Sequence, residues 1–287
     1  MRSELEIIQL ILDVAAKDDR VRAILLNGSR TNRGIAPDKY QDYDITFIVN
    51  DMATFTVDHS WLKVFGEMLL CQLPNEMTVG NADPGVFAYL MILEDGNRID
   101  LTLYPQDKVV KNSWPDSLTV CLLDKDNQFN SLPPPGDSGY LIKKPSSKEF
   151  ADVCNEFWWV STYVAKGLLR NEITYAKEMM ETVVRPMFMK IIEWKIGVNK
   201  GFSVSFGTAG RFIKKYVPDN YYQRILQTYS DADIENTWQA LFNMMDLFTQ
   251  TSNEVAQELD FPIDKKEQEN ASRWLRQQYA ERKQLPH

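Results

Sequence analysis

Two aspartates, Asp42 and Asp44, open an apolar run and are well placed to bind a metal ion. In a β-strand, residues two apart point to the same side and lie roughly 6.6 Å apart along the chain. Carboxylates held this close repel each other unless a cation lies between them. Mg²⁺ is the expected cation, because it prefers hard oxygen ligands and commonly shares them with substrate phosphates.

A glycine-serine pair, Gly28 and Ser29, ends the apolar run that comes before these aspartates. The backbone N–H groups of such a turn, together with the serine hydroxyl, can bind phosphate oxygens. Arg30 follows directly, and two roles are open to it: contact with a phosphate, or a structural ion pair with Asp42 or Asp38. A phosphate-binding turn next to metal-binding carboxylates indicates nucleotide chemistry.

A third carboxylate, Asp100, lies inside a segment that alternates like a strand, 98–104. Aspartate is a poor strand former, so its presence there needs a reason, and a metal ion is one. The alternation places Asp100 and Thr102 on one face of the strand and the aliphatic residues on the other. An Asp-Gly pair within 94–97, between two β-rich runs, predicts a hairpin immediately before this strand.

The composition excludes several classes of protein. With 287 residues, 44% hydrophobic and 25% charged, the chain has ordinary globular composition and room for two domains. Its formal net charge of -8 disfavours nucleic-acid binding, which uses many Lys and Arg contacts to phosphate. No apolar run approaches the length of a membrane span and no signal-peptide pattern is present, so we expect no membrane partner and a cytoplasmic location.

Cysteine and histidine usage narrows the chemistry further. Three cysteines, Cys71, Cys121 and Cys154, are odd in number and far apart, which favours free thiols over a disulfide framework or a zinc site. The two histidines are His59, in a polar turn, and His287, so a Ser-His-Asp hydrolase is disfavoured. Proton transfer is therefore expected to fall to a carboxylate.

The hydrophobic periodicity predicts an α+β fold. An N-terminal domain at 1–135, with a mixed β-sheet and helices, is followed by a C-terminal α-helical bundle domain at 146–287, and a proline- and glycine-rich segment at 131–145 separates them. Predicted strands are 21–26, 45–49, 86–93 and 98–104, and predicted N-terminal helices are 3–16 and 60–70. Predicted helices beyond the boundary are 148–168, 172–196 with a bend or break before Pro186, 211–216, 221–229, 234–259 and 266–282.

These motifs together resemble the signature of the nucleotidyltransferase superfamily that includes DNA polymerase beta: Gly-Ser, Asp-x-Asp and a carboxylate on a later strand. Four longer runs are similar to aminoglycoside 6-adenylyltransferases: LNGSRTNRGIAPDKYQDYDITFIV, DGNRIDLTL, LLDKD and EFADVCNEFWWVSTYVAKGLLRNEI. The similarity extends over essentially the whole chain. The last run is the more family-specific signal, because many nucleotidyltransferases share the aspartate and glycine-serine elements.

The resemblance implies an enzyme that moves AMP from ATP to a hydroxyl of streptomycin, at the 6-position of the streptidine ring, and so confers antibiotic resistance. It implies that Asp42 and Asp44 bind two Mg²⁺ ions and that Asp100 binds the catalytic one, in a two-metal in-line displacement. It also implies that Gly28 and Ser29 hold the nucleotide phosphates.

The first long helix of the C-terminal domain carries further candidates. The resemblance implies that Lys166 reaches the triphosphate, with Arg170 one helical turn away, and a solvated helix face is the alternative for both. Tyr163 either stacks on the base or sugar of the nucleotide or is a half-buried core residue. Trp158 and Trp159 either line an interdomain pocket or pack against other helices, and packing is favoured.

Streptomycin carries guanidinium groups, so its binding site should offer carboxylates for bidentate pairing. An ordinary surface position is the alternative for each candidate, and the sequence does not identify a general base. The candidate carboxylates are Glu94, Asp95, Asp124, Asp126, Glu156 and Glu172.

Two other functions stay open. The same chemistry could act on another acceptor, such as a different antibiotic, a protein hydroxyl or an RNA end. Alternatively, the chain could be a non-catalytic nucleotidyltransferase-like module that serves as a binding or antitoxin partner. A missing metal carboxylate would mark such a module, and none of the three is missing. The sequence does not define the oligomeric state, and a monomer is favoured.

Overall fold

The computed structural model describes residues 1–282 and divides into two compact units, Met1–Gly139 and a second unit that begins at Tyr140. The division falls inside the proline- and glycine-rich segment of the sequence. His287 lies outside the described residues. The first unit contains a β-sheet with two α-helices and the second is helical, so the predicted α+β class is confirmed.

A mixed six-stranded sheet forms the first unit. Its strands are β1 (Val21–Asn27), β2 (Tyr43–Val49), β3 (Met68–Gln72), β4 (Phe87–Leu93), β5 (Arg98–Pro105) and β6 (Thr119–Asp124). Their order is β3-β4-β5-β2-β1-β6, in which β2 and β5 are parallel and every other neighbouring pair is antiparallel. The helices of this unit are α1 (Glu4–Lys17) and the single-turn α2 (Ala53–Thr56).

Helix α1 begins where its sequence predicts. The Ser3 side chain accepts a hydrogen bond from the Glu6 backbone while the Glu6 carboxylate accepts one from the Ser3 backbone, which forms a capping box. Its buried residues, among them Ile7 and Ile11, pack on one face of the sheet with the odd-numbered residues of β2 and β5. That face is apolar along its whole length.

The opposite face of the sheet changes character along the strands. Asp44 and Thr46 of β2 share it with Asp100 and Thr102 of β5, as the alternation predicts. Farther along the strands the face is apolar, where Ile48 belongs to a small core cluster. The polar part is therefore confined to the end of the sheet at which β2 and β5 begin.

Two features of the first unit differ from the sequence prediction. The segment predicted as a helix at 60–70 is a 3₁₀ helix, His59–Phe65, followed by strand β3. Gly66 separates them with φ of 118°, a conformation that an α-helix cannot contain. Strands β3 and β6 occupy the two edges of the sheet. Strand β3 is mostly exposed and β6 is largely half-buried, so neither shows the alternation of a strand with one buried face.

The second unit is built from helices packed on aromatic residues. Its helices are α3 (Ser147–Leu169), α4 (Ile173–Met179), α5 (Arg185–Asn199), α6 (Ile213–Tyr216), α7 (Asp219–Leu226), α8 (Ile234–Leu259) and α9 (Lys265–Arg282). Phe157 of α3 stacks on Phe248 of α8 with ring centroids 3.6 Å apart. A π-helical turn, Met180–Val184, joins α4 to α5, and Pro186 stands in the first turn of α5. The regular α-helix is therefore interrupted just before Pro186, while the chain stays helical.

The cysteines and the hydropathy of the helices complete the description of the fold. Cys71, Cys121 and Cys154 are free thiols. Within the part of the chain that the structure describes, every helix is too short or too polar to serve as a membrane span.

Candidate active site

The three predicted aspartates meet at one end of the sheet. Asp42 immediately precedes β2, Asp44 is the second residue of β2, and Asp100 is the third residue of β5. The parallel register pairs Asp44 directly with Asp100, and neighbouring strands lie about 4.8 Å apart. The structure thus brings together residues that are far apart in the sequence.

The electrostatics of this cluster show mutual repulsion. Burial, followed by the charges of Asp100 and Asp42, raises the pKa of Asp44 to about 6. Burial also raises the pKa of Asp42, and the Arg98 guanidinium works against that effect. Burial and the neighbouring carboxylates thus both disfavour ionised Asp44, and a bound cation would offset both effects.

Arg98, which the sequence did not single out, partly compensates this charge. Its Nε and Nη2 atoms donate to the two oxygens of Asp100 at 2.8 and 2.7 Å, and its Nη1 lies 3.7 Å from Asp42 Oδ2. Arg98 and Asp100 are two apart in β5 and so share a face. That spacing was available in the sequence as a signal for the pair.

The oxygen donors fit a Mg²⁺ site in kind, because three carboxylates share one end and one face of the sheet. As they stand, no three His, Cys, Asp or Glu side chains of residues 1–282 converge closely enough to hold a metal ion. Arg98 explains this for Asp100, since both oxygens of that carboxylate are bonded to the guanidinium. A metal ion bound there would share the Asp100 carboxylate with Arg98 or compete with Arg98 for it.

The glycine-serine pair lies against the aspartates. Residues Gly28–Thr31 form a 3₁₀ turn at the end of β1, and Gly28 has φ of +72°. A Cβ atom at this position would lie 2.2 Å from Asp44 Oδ2, so only glycine permits this approach. The Gly28 N–H donates to the Leu118 carbonyl at 3.0 Å, and half-buried Ser29 follows it in the turn.

A polar network lies beside Asp44 in the sheet, and no sequence motif marks its residues. The Asn27 side-chain amide donates to Thr46 Oγ1 at 3.0 Å, and the Thr119 hydroxyl donates to Asn27 Oδ1 at 2.7 Å. Thr46 and Thr119 are buried. These bonds join β1, β2 and β6 at the end of the sheet where Asp44 lies. Satisfied buried networks of this kind favour a single geometry.

The structure gives Arg30 a structural role, with partners that differ from the predicted ones. Its Nε and Nη2 donate to the backbone carbonyls of Asp42 and Gln41 at 3.0 and 2.7 Å, and its Nη1 pairs with Glu4 at 3.1 Å. The guanidinium also lies 3.7 Å from the centre of the Tyr43 ring, and the side chain is 7% exposed. Arg30 therefore holds the loop that carries Asp42, and its predicted contact with the nucleotide phosphates stays a proposal.

A fourth carboxylate, Asp116, was also missed. Its charge contributes to the raised pKa of Asp44, so it lies near the cluster. Its Oδ1 accepts the Leu118 N–H at 2.8 Å, in the segment that Gly28 contacts through the Leu118 carbonyl. No strand alternation or motif marks Asp116 in the sequence, because it stands in a loop before β6.

The acceptor-binding candidates of the first unit have different environments. Asp124 is at the far end of β6, opposite Ala23, and its carboxylate accepts three backbone N–H groups of the following loop. Asp124 therefore organises its own loop, at the other end of β6 from the aspartate cluster, and its predicted role in substrate binding stays a prediction. Asp95 is paired with Arg2. Asp126 is paired with Arg22. Exposed Glu94, at the hairpin tip, keeps its predicted role as a proposal.

The candidates of the second unit lie on or beside α3. Tyr163 is half-buried and Lys166 is exposed, with its Nζ 5.2 Å from the centre of the Tyr163 ring. Glu156 is exposed on the same helix, and Glu172 is exposed just before α4. Arg170 is also exposed and is the C-cap residue of α3. Its predicted role beside Lys166 stays a prediction.

Comparison with known proteins gives concordant matches over nearly the whole chain. The family model described as Streptomycin adenylyltransferase matches residues 1–278. An aminoglycoside 6-adenylyltransferase of Campylobacter jejuni is 43% identical over 261 residues, which are 91% of this chain and 91% of the relative. The protein of the same name in Bacillus subtilis (strain 168) is 41% identical over 266 residues, 91% of this chain and 93% of the relative.

A solved structure, that of an aminoglycoside 6-adenyltransferase from Bacillus subtilis, shares 34% sequence identity and has a TM-score of 0.49, covering 97% of this chain and 99% of that chain. The family resemblance inferred from the sequence motifs is confirmed by the family model and the sequence relatives. The chain belongs to the streptomycin adenylyltransferase family and is a nucleotidyltransferase of the aminoglycoside 6-adenylyltransferase type.

Proposed function

We propose that this enzyme transfers AMP from ATP to streptomycin, at the 6-hydroxyl of the streptidine ring, and so confers resistance to that antibiotic. The observation that carries the proposal is the register that sets Asp44 beside Asp100 with Gly28 against the Asp44 carboxylate. Family membership supports ATP as the co-substrate and an aminoglycoside as the acceptor. Because ATP is consumed, we place the reaction in the cytoplasm.

The proposed arrangement has two Mg²⁺ ions, which would be held by Asp42, Asp44 and Asp100. When bound, the ions supply positive charge that acidifies the acceptor hydroxyl and neutralises the departing pyrophosphate. The donor chemistry and the unrelieved repulsion around Asp44 support this assignment.

The protein's own contribution is to fix positions and charges before the reaction. The turn at Gly28–Thr31 would direct the Ser29 N–H and hydroxyl toward the triphosphate. Arg30 fixes the backbone of Asp42 through its two carbonyl contacts. The network around Asn27 fixes the strand that carries Asp44.

Two residues of α3 complete the proposed nucleotide contacts. The Lys166 ammonium would bind a phosphate, and the Tyr163 ring would contact the base or sugar. Their proximity on one helix face supports a joint role. If both contact ATP, K166M and Y163A raise the KM for ATP while leaving the Mg²⁺ dependence of the remaining activity unchanged.

Mass spectrometry tests the proposed function directly. Purified protein is incubated with ATP, Mg²⁺ and streptomycin, and we expect streptomycin to gain one adenylate as pyrophosphate is released. NMR of the product then identifies the modified hydroxyl. D44N, checked for an unchanged far-UV circular dichroism spectrum, serves as the inactive control. If streptomycin stays unmodified while another acceptor, such as kanamycin, is adenylated, the proposed acceptor is refuted and the proposed chemistry stands.

A further inference from the structure

One face of α3 carries an ordered row of polar and aromatic side chains. At 100° per residue, six positions fall within an arc of roughly 80°. From the N-terminal end of the helix they are Lys148, Asp152, Glu156, Trp159, Tyr163 and Lys166. The row begins with the Lys148–Asp152 ion pair, continues with Glu156 and two aromatic residues, and ends with Lys166. About 15 Å separates Glu156 from Lys166 along the helix axis.

Trp159 is the unusual member of this row. Its neighbours Phe157 and Trp158 are 0% and 2% exposed, whereas Trp159 is 60% exposed. Trp158 therefore packs in the core as expected, and the packing predicted for Trp159 is wrong. The Trp159 indole N–H donates to the Tyr163 hydroxyl at 2.8 Å, which fixes the ring and leaves much of its surface in solvent.

The charge next to Trp159 indicates what it can bind. Asp152 is already paired with Lys148. Among residues 1–282, Glu156 makes no hydrogen bond or ion pair, and it stands one helical turn before Trp159. A carboxylate binds a guanidinium in a bidentate manner, and an indole face attracts the same planar cation. Lys166, at the other end of the row, is suited to an anion instead.

We infer that Glu156 and Trp159 form the binding site for a guanidinium group of the acceptor, with Trp159 as its specificity-determining residue. This inference rests on the proposed function, because streptomycin supplies the guanidinium. The cationic acceptor binds at Glu156 and Trp159, beyond the Lys148–Asp152 ion pair at the start of the helix. Lys166, ten residues farther along the helix, keeps its proposed role toward a nucleotide phosphate.

Steady-state kinetics with W159A, W159F and E156Q test the assignment. We expect W159A and E156Q each to raise the KM for streptomycin about tenfold, with an intermediate value for W159F, and to leave the KM for ATP within about twofold of wild type. Matched controls are W274A, at a Trp of α9 that is 37% exposed, and E258Q, at an exposed glutamate of α8, and both should keep wild-type constants.

Calorimetry adds a readout that does not depend on turnover. Streptomycin should bind wild-type protein without ATP and bind W159A about tenfold more weakly. Methylguanidinium should compete for the site in wild type more effectively than methylammonium, and W159A should lose this difference. Circular dichroism checks that each variant is folded, and W159F keeps an aromatic ring should W159A fail that check.

The outcomes separate the two proposals. If wild type adenylates streptomycin while folded W159A and E156Q keep the wild-type KM for it, the inference is overturned and the proposed function stands. A change confined to the KM for ATP assigns the indole to the nucleotide and also overturns the inference. If wild type neither binds nor adenylates streptomycin, both proposals fail.

Discussion

Gly28 and Asp44 are packed so closely that a methyl group at position 28 would lie 2.2 Å from the Asp44 carboxylate oxygen Oδ2. The contact joins the proposed phosphate-binding turn to the proposed metal-binding strand. It therefore links the two halves of the proposed chemistry through one glycine.

G28A should abolish AMP transfer, because the added methyl displaces Asp44 from its position. The matched control is G201A: Gly201 also has positive φ, +59°, but no atom within 4 Å of its Cβ position. G201A carries only the backbone strain, about 1 kcal/mol of unfolding free energy, and should keep wild-type kcat. Rates of AMP transfer and urea unfolding measure both effects. Wild-type kcat in G28A would show that the position of Asp44 is not limiting.

The raised pKa of Asp44 predicts how stability depends on pH in metal-free protein. Because the folded-state pKa, about 6, exceeds the ordinary value of 3.8, protonated Asp44 favours the folded state. That contribution is present below pH 4 and is lost as the pH rises through 6. D44N cannot ionise at this position, so the Tm of D44N minus the Tm of wild type should increase from pH 4.5 to pH 7.5. A Tm difference that stays constant over this range would contradict the repulsion described for the cluster.

Saturating Mg²⁺ should remove this pH effect. A divalent ion replaces the proton as the compensating charge, so wild-type Tm at pH 7.5 should rise while that of D44N rises less. Differential scanning fluorimetry with and without EDTA measures the response. Ca²⁺ is a useful comparison, because it is larger than Mg²⁺ and prefers a different coordination, so the two ions should raise the Tm by different amounts.

The sequence was sufficient to predict the parts of the site that depend on strand alternation. Asp42 and Asp44 share a strand start, and the Asp-Gly hairpin fixes where Asp100 falls, so their location on one face could be read in advance. The same alternation failed for β3 and β6. Edge strands are half-exposed, and their residues need not alternate between core and solvent.

The remaining site residues depend on tertiary contacts that no local pattern encodes. Arg30 binds backbone carbonyls of a loop more than ten positions later in the sequence, and its partners follow from the loop conformation. Asn27 meets Thr119 only because β1 and β6 are neighbours in the sheet. Trp158 and Trp159 are chemically identical and adjacent, so only the packing of α3 distinguishes the buried ring from the exposed one.

R98Q tests whether the guanidinium competes with metal for Asp100. Arg98 is paired with both Asp42 and Asp100. R98Q removes this positive charge from the cluster, so metal-free R98Q should be less stable than wild type. Its Tm should then rise more on addition of Mn²⁺ or Mg²⁺, because the ion no longer displaces an ion pair. R22Q removes a comparable bidentate pair, with Asp126, elsewhere in the same unit and should leave the metal response unchanged. Equal metal responses in R98Q and wild type would rule out competition.

D124A distinguishes a loop-organising carboxylate from a substrate ligand. Asp124 accepts hydrogen bonds from the backbone N–H groups of Asp126, Gln128 and Phe129, and its removal leaves three donors without this acceptor. We expect a loss of about 1–3 kcal/mol in unfolding free energy and an unchanged KM for streptomycin. D107A, at an exposed aspartate of the same unit, is the control for loss of charge alone and should unfold like wild type. A raised KM for streptomycin in stably folded D124A would return this carboxylate to the acceptor site.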